Sequence, residues 1–364
     1  MLYKSLLRPL LFLSEPEQAH EQTLALLSRL AFLEGALGRF FSVEDGRLRV
    51  RLGSLSFPNP VGLAGGFDKN GVAIRIWPGF GFGFVEIGAV TAQGQPGNPK
   101  PRLFRLPQDS ALINRLGFNN EGAAAVAARL SALRSSGGWP KIPLGINIGR
   151  SKEVETKDAA KDFLFTFETL FPYGDFFTLN VSSPNTPNLR DLQAKNLLAD
   201  LLTVIQEKHR ELSAKTGIRE RPVWVKVAPD LELSQLDEII EVTQSKRVAG
   251  IIATNATAFM RETLVGKTTE PGGLSGKPLR AKATSFVRHI YQVSGGRLPI
   301  IGVGGIFTAE DAYEKIKAGA TAVQILTGFV YEGPSAVKRI NYGLLKLMER
   351  DGFKNISEAI GTAV

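Results

Sequence analysis

Eight short apolar runs recur along the chain, at Val61–Ala64, Phe84–Gly88, Leu144–Asn147, Phe176–Asn180, Val223–Val227, Gly250–Ala253, Ile300–Val303 and Ala322–Leu326. Between most of them, apolar residues return at helical spacing: Gly122–Arg134, Lys157–Leu170, Asp191–Glu211, Ser234–Lys246, Leu279–Val293, Thr308–Ala318 and, last, Ser335–Glu349. Strands that are apolar on both faces, each followed by room for a crossover helix, predict an α/β protein built as a closed (β/α)8 barrel. An open doubly wound sheet competes, but it wants a G-x-G-x-x-G turn after its first strand. Gly65, Gly66 and Gly71 do not have that spacing.

The pattern before the barrel is different. Leu2, Leu6, Leu7, Leu10, Leu11 and Leu13 suggest a short helix broken near Pro9, and Ser14-Glu-Pro-Glu17 fits a capping box for a second helix carrying Leu24, Leu26, Leu27, Leu30 and Leu33. The expected division is a helical extension over residues 1–41 and a barrel over 42–364, with a β-hairpin between Arg47 and Phe57 that turns at Gly53-Ser54. No run approaches the ~18 apolar residues of a membrane span. Arg8 and Pro9 interrupt the apolar stretch and no small-x-small site follows, so a cleaved signal is not expected. Lys4, Arg8, Arg29 and Arg39 balance Glu15, Glu17, Glu21 and Glu34. The extension therefore either packs on its own barrel or lies on lipid through apolar area.

Composition narrows the chemistry. The 364 residues include no cysteine, which removes disulfides, a thiolate nucleophile, cysteine-ligated zinc and cysteine-held iron–sulfur clusters. Three histidines without zinc-site spacing argue against a metal hydrolase, and no metal is expected. A net charge of +9 favours acidic small molecules, anionic membrane or nucleic acid without choosing among them. Because the basic residues are spread out rather than gathered in a stripe, nucleic acid is not expected as a partner.

Barrel enzymes place their chemistry where strands end and βα loops begin. At those ends the chain carries Lys69; Ala89 and Thr91; Asn147; Asn180 and Ser183; Lys226; Thr254 and Asn255; Gly304 and Gly305; Thr327 and Gly328. Lysine and asparagine buried at a rim are costly unless a ligand satisfies them, so an anionic, amide-rich ligand is implied. Gly302-Val-Gly-Gly-Ile306 and Thr327-Gly328, after the last two strands, suit a phosphate approached by backbone N–H groups. Lys226 interrupts a buried strand and needs an anionic partner; a reduced flavin ring edge would supply one, and a structural salt bridge is the alternative. The rigid loop Asn180–Arg190 contributes two serines and further asparagines to the same rim.

Several of these segments together carry a resemblance. Gly65-Gly-Phe-Asp-Lys-Asn70, Leu112-Ile-Asn-Arg-Leu-Gly-Phe-Asn119, Gly145-Ile-Asn147, Asn180 through Asn185, Val225-Lys226, Ala253-Thr-Asn255, Gly272-Gly-Leu-Ser-Gly276 and Gly302 through Ile306 resemble the dihydroorotate dehydrogenase family. The serine within Asn-Val-Ser-Ser-Pro-Asn and the helical extension are similar to its class 2, membrane-associated, quinone-reducing branch.

The resemblance implies an FMN-binding barrel that oxidises dihydroorotate to orotate in pyrimidine synthesis and passes electrons to a membrane quinone. It also implies a peripheral location on the cytoplasmic face of the cell membrane. Ser183 would take the C5 proton while hydride leaves C6 for the flavin. Lys69, Asn114, Arg115, Leu116, Gly117, Phe118, Asn180, Asn185, Asn255 and Ala256 would form the substrate pocket, with Thr186 and Phe118 in a proton relay. Gly65, Gly66, Phe67, Asp68, Lys69, Ala89, Asn147, Asn180, Lys226, Thr254, Gly276, Gly305, Leu326 and Thr327 would contact FMN. Arg105 would belong to the quinone tunnel.

A serine is a weak base near neutral pH and needs such help. The missing cysteine excludes the cysteine-base classes of the family. Two positions depart from the family pattern: Ala89 replaces a usual hydroxyl, at a cost of about 1 kcal/mol for one hydrogen bond, and Leu326 stands where class 2 often has tyrosine. Other readings are a cysteine-free FMN barrel with another acceptor, a non-redox phosphate-binding barrel acting as lyase or isomerase, and an RNA-directed role.

Overall fold

The computed structural model describes residues 2–364. All eight expected strands form and close in chain order: β1 (Val61–Leu63), β2 (Phe84–Val90), β3 (Leu144–Ile148), β4 (Phe176–Asn180), β5 (Val223–Val227), β6 (Gly250–Ala253), β7 (Ile300–Val303) and β8 (Ala322–Ile325). Every neighbouring pair is parallel, including β8 against β1. Helices Ala123–Ser135, Ala159–Leu170, Lys195–Thr216, Leu233–Ser245, Arg280–Ser294, Ala309–Lys317 and Ala336–Asp351 cover the outside, within a few residues of the sequence expectation.

Residues two apart on a strand share a face, and this alternation layers the interior. The lowest layer is aromatic. Phe57, delivered by the hairpin Val50–Leu52/Leu55–Phe57, stacks on Phe84 at 4.3 Å, and Phe176 lies 6.2 Å from Phe84. Two glycines make the room: a Cβ on Gly62 would sit 2.4 Å from the Phe84 ring, and one on Gly145 2.1 Å from that of Phe176. One step further up each strand the same face carries Glu86 and Thr178, joined by Gln324, all with no solvent exposure. Above this polar layer is the mouth.

Two strand groups that the apolar pattern did not announce roof the mouth. Leu103–Leu106, Ala111–Asn114 and Gly273–Gly276 form an antiparallel sheet, and Gln93–Gln95 pairs with Asn120–Gly122. They are three or four residues long; Leu103–Leu106 is half-buried and Gln93–Gln95 largely exposed, and Ala111, Ile113 and Leu274 pack in a small core of their own.

The extension differs from expectation in three ways. Pro9 does not break the first helix: a π-helical turn, Tyr3–Leu7, runs directly into Arg8–Leu13, so the change of helix type falls just before the proline. The second helix, Pro16–Arg29, is capped by Glu15, whose carboxylate accepts from the Gln18 N–H at 2.7 Å, rather than by Ser14. Leu30 to Leu33 leave that helix for a 3-10 turn, and a third helix, Glu34–Phe41, packs over the turn Ile74–Phe80. Among the described residues no helix is long and apolar enough to cross a membrane.

Candidate active site

One cavity of about 330 Å³ opens at the C-terminal ends of the strands and runs out between the barrel and the N-terminal helices. Its barrel end is lined by Gly65, Gly66, Phe67, Lys69, Ala89, Asn180, Ser183, Lys226, Thr254, Asn255, Gly276, Gly305, Leu326 and Thr327. Asn114, Leu116, Gly117, Phe118, Asn185 and Ala256 line its side, and Tyr3, Leu11, Phe12, His20, Thr23 and Arg105 its outer reach. Residues from seven of the eight strand ends thus share a wall.

Four of the expected residues lie elsewhere. The Asp68 carboxylate is fully buried and accepts from the N–H groups of Val72 and Ala73 and from Trp77 Nε1 at 2.7 to 3.0 Å, which staples the turn after β1 rather than facing a ligand. Arg115 reaches out to Glu270 at 2.6 Å and covers the Phe104 ring, closing the roof. Asn147 sits one layer below the wall. The Thr186 hydroxyl is buried with no partner, outside the lining.

The substrate side is a web of amides. Asn180 Nδ2 donates to Asn147 Oδ1 at 3.0 Å, and Asn180 Oδ1 accepts from the Ser182 hydroxyl at 3.1 Å and from Asn255 Nδ2 at 3.3 Å. Asn255 Nδ2 also donates to Ser182 Oγ at 2.9 Å. Asn185 Nδ2 reaches Asn114 Oδ1 at 3.2 Å, while its own N–H donates to Ser183 Oγ at 3.3 Å. Arg190 clamps the loop from behind: its guanidinium pairs with Asp230 at 2.8 Å and donates to the carbonyls of Ser182 and Ala256.

Burial disfavours charge at both lysines. It pushes the Lys69 ammonium down to about 8 against the pull of Glu17, and it lowers Lys226 against the pull of Glu86. The charge that pulls on Lys226, that of Glu86, comes from β2 rather than from the lysine's own strand. His20 is held neutral, pushed down to about 4 first by burial and then by Lys69, and its Nε2 lies 2.7 Å from the Phe67 carbonyl.

The donor set fits a flavin mononucleotide. At Gly305, φ is +72° and a Cβ would stand 2.5 Å from Arg280 Cα, so the backbone can come close to a phosphate only because no side chain is there. Gln324, also in the cavity lining, has a buried Oε1 without a partner, an acceptor that a ligand N–H would satisfy.

Glu86, Gln324, Ser182, His20 and the Glu17–Arg102 pair were missed from sequence. The available signal for Glu86 was a lone acid two positions from Phe84 in an otherwise apolar run. His20 and Glu17 lie on an amphipathic helix with nothing local to mark them.

Fold and site together define a flavin-dependent oxidoreductase of the (β/α)8 type. The family model described as dihydroorotate dehydrogenase matches residues 47–348. A dihydroorotate dehydrogenase (quinone) from Gloeobacter violaceus is 48% identical over 364 residues, covering 100% of this chain and 99% of its own, and one from a Nostoc species is 47% identical with coverage of 99% and 98%. A dihydroorotate dehydrogenase from Eimeria tenella, solved with ferulenol, superimposes with a TM-score of 0.86 at 36% identity over 95% of each chain. The chain belongs to the dihydroorotate dehydrogenase family.

Proposed function

We infer that this chain oxidises dihydroorotate to orotate in pyrimidine synthesis, with FMN as its flavin and a membrane quinone as the final acceptor. The observation that carries the reading is a cavity in which an amide cluster, a lysine and a serine share one wall and an apolar tunnel leads outward between the barrel and the N-terminal helices.

Bound FMN supplies the hydride acceptor. Gly276, Gly305 and Thr327 would hold its phosphate end, and Lys226, Ala89 and Gly65 would border its ring. Lys69 would bind the substrate carboxylate, and Asn114, Asn180, Asn185 and Asn255 the ring amides and carbonyls. Ser183 would accept the proton from C5. Its Oγ receives the Asn185 N–H, which steadies the oxygen and leaves a lone pair for the substrate. Phe118, whose ring covers Gly149, would exclude water from that side, and the buried, unpartnered Thr186 hydroxyl, three residues after Ser183, would carry the proton away.

The outer tunnel would admit the quinone. Arg105 donates to the carbonyls of Phe12 and Ser14 and lies 4.5 Å over the Phe12 ring, which leaves guanidinium donors for a quinone oxygen. Leu326 offers no hydroxyl there, and the nearby Tyr331 hydroxyl is engaged with the Ala111 carbonyl at 2.8 Å. Residues 1–41 would form the lipid-facing unit and 42–364 the catalytic barrel. Leu2, Leu6, Leu10, Leu13, Phe32 and Phe40 point to solvent, supporting peripheral attachment, with the cytoplasmic face of the cell membrane as the proposed side.

The test is spectroscopic. The purified protein is expected to show flavin absorption that dihydroorotate bleaches without oxygen. Ser183→Ala is expected to keep the flavin and to bleach at least ~100-fold more slowly, the usual scale for removing a general base. A colourless protein that gains no activity with FMN refutes the flavin reading; unchanged bleaching removes Ser183 as base.

A further inference from the structure

We propose that Glu86, at the buried centre of the barrel, is a positioning residue that fixes which atoms the amides of the substrate site present to their ligand. Three donors converge on its carboxylate: Asn147 Nδ2 at 2.6 Å on Oε1, and Gln324 Nε2 at 2.9 Å and the Thr178 hydroxyl at 3.2 Å on Oε2. All four side chains are at most 1% exposed. Gly65 closes over Oε1 so tightly that a Cβ there would lie 2.5 Å away.

An amide has a donor end and an acceptor end, and in isolation either can face a neighbour. A carboxylate that serves three donors removes that freedom. Because Asn147 must spend its Nδ2 on Glu86, its Oδ1 faces Asn180. Asn180 must then donate with Nδ2, so its Oδ1 faces outward, to the Ser182 hydroxyl and Asn255 Nδ2. Asn255 Oδ1 is thereby left for the Ala256 N–H at 2.8 Å. On the other branch, Gln324, a residue of the cavity lining, spends Nε2 on Glu86 and keeps Oε1 buried and unpartnered. The acceptor at the barrel centre thus dictates amide orientation up to the substrate wall, although Glu86 itself does not line the cavity. Ser182 has its place in this chain as the hydroxyl that joins the outer two asparagines.

Replacing the carboxylate by an amide of equal size breaks the rule. In Glu86→Gln the new Nε2 must face either Asn147, which reverses the Asn147–Asn180–Asn255 branch, or Gln324 Nε2, which turns the Gln324 amide in the cavity wall. A second change restores the order. In Glu86→Gln/Gln324→Glu, the amide now at position 86 would again accept from Asn147 and would donate to the new carboxylate, which keeps an oxygen where Gln324 Oε1 was; the total charge is unchanged.

The experiment, which rests on the preceding reading of the substrate, measures orotate binding to the flavin-loaded full chain by calorimetry, with flavin content and thermal unfolding recorded alongside. Glu86→Gln is expected to weaken orotate about tenfold or more, which is about 1.4 kcal/mol. The double exchange is expected to bring the affinity back to within about threefold of the parent, under 1 kcal/mol. A parent protein that does not bind orotate refutes the substrate reading and not this inference. A parent that binds, with Glu86→Gln losing less than about threefold, overturns the inference. So does a double exchange that does not recover affinity, or that does not fold. If Glu86→Gln alone does not fold, the double exchange decides: near-parent orotate affinity supports the positioning role, and a loss of about tenfold or more overturns it.

Discussion

Glu17→Gln tests how firmly the N-terminal helices are tied to the loop Asn180–Arg190. Glu17 and Arg102 are 3% and 5% exposed, and the guanidinium meets the carboxylate through Nη2 at 2.7 Å and Nε at 3.0 Å. Burial alone would raise the Glu17 carboxyl; the Arg102 hydrogen bonds and charge override it and hold the group below its usual range. Arg102 Nη1 donates to the carbonyls of Pro96 and Asn98 at 2.6 Å, and Asn98 Nδ2 in turn holds the carbonyls of Arg115 and Asn185. The glutamine keeps an acceptor oxygen but removes the charge. Two unit charges about 4 Å apart at an effective dielectric near 20 attract by about 4 kcal/mol. The carbonyls that Arg102 retains offset part of this, leaving a loss of about 2 to 3 kcal/mol, below the 3 to 5 typical of a fully broken buried pair.

Because Glu17 belongs to an appended helix, that loss falls on its docking rather than on the barrel. Amide exchange over Pro16–Arg29 is expected to rise about 30- to 150-fold while the barrel strands keep their protection. Quinone turnover should fall with it, and bleaching of the flavin by dihydroorotate should persist below the pH at which Lys69 loses its proton. Exchange over this helix within about threefold of the parent, with quinone turnover intact, would refute the reasoning and leave the contacts of Tyr3, Arg8 and His20 as the docking force.

Two further outcomes follow from the site. Burial lowers the Lys69 ammonium to about 8, so it is charged below that pH and neutral above; orotate affinity should decline about tenfold per unit as pH rises past about 8, and a flat profile to pH 9 or so would remove Lys69 as the carboxylate partner. Gly305→Ala forces a side chain into the left-handed region at φ +72° and against the Arg280 backbone at 2.5 Å, so flavin retained after gel filtration should fall while the barrel stays folded; full flavin content would show that this turn does not border the phosphate.

The barrel was legible because its strands are buried on both faces and so leave an uninterrupted apolar mark. The rim was legible for the complementary reason, since Lys69, Asn180 and Lys226 are polar where such a mark ends. What stayed hidden depends on contacts remote in sequence. Glu86 looks like a flaw in an apolar strand until Asn147 and Gln324, 61 and 238 positions away, are seen to donate to it. Glu17 looks like a capping residue, and only Arg102, 85 positions on, shows that it is a buried anchor. The third helix, Glu34–Phe41, escaped because Leu30 and Leu33 continue the preceding apolar stripe although the backbone has already turned.

These contacts also decide how membrane attachment can be separated from catalysis. Removing residues 1–41 would take away the exposed leucines, but it would also strip Arg102 of the carboxylate it faces, free the Phe67 carbonyl that His20 holds, and open one wall of the cavity that reaches Ser183. Lys69 would lose the carboxylate that keeps part of its positive charge in place. A truncated chain therefore changes lipid contact, tunnel shape and substrate binding at once, and a loss of turnover in it assigns nothing to the membrane. The discriminating surface is the row Leu6, Leu10 and Leu13, which are 53%, 55% and 85% exposed. Polar replacements there would reduce the apolar area offered to lipid while Tyr3, Arg8 and Glu17 stay bound to the barrel, so any change that depends on added vesicles can be attributed to attachment alone.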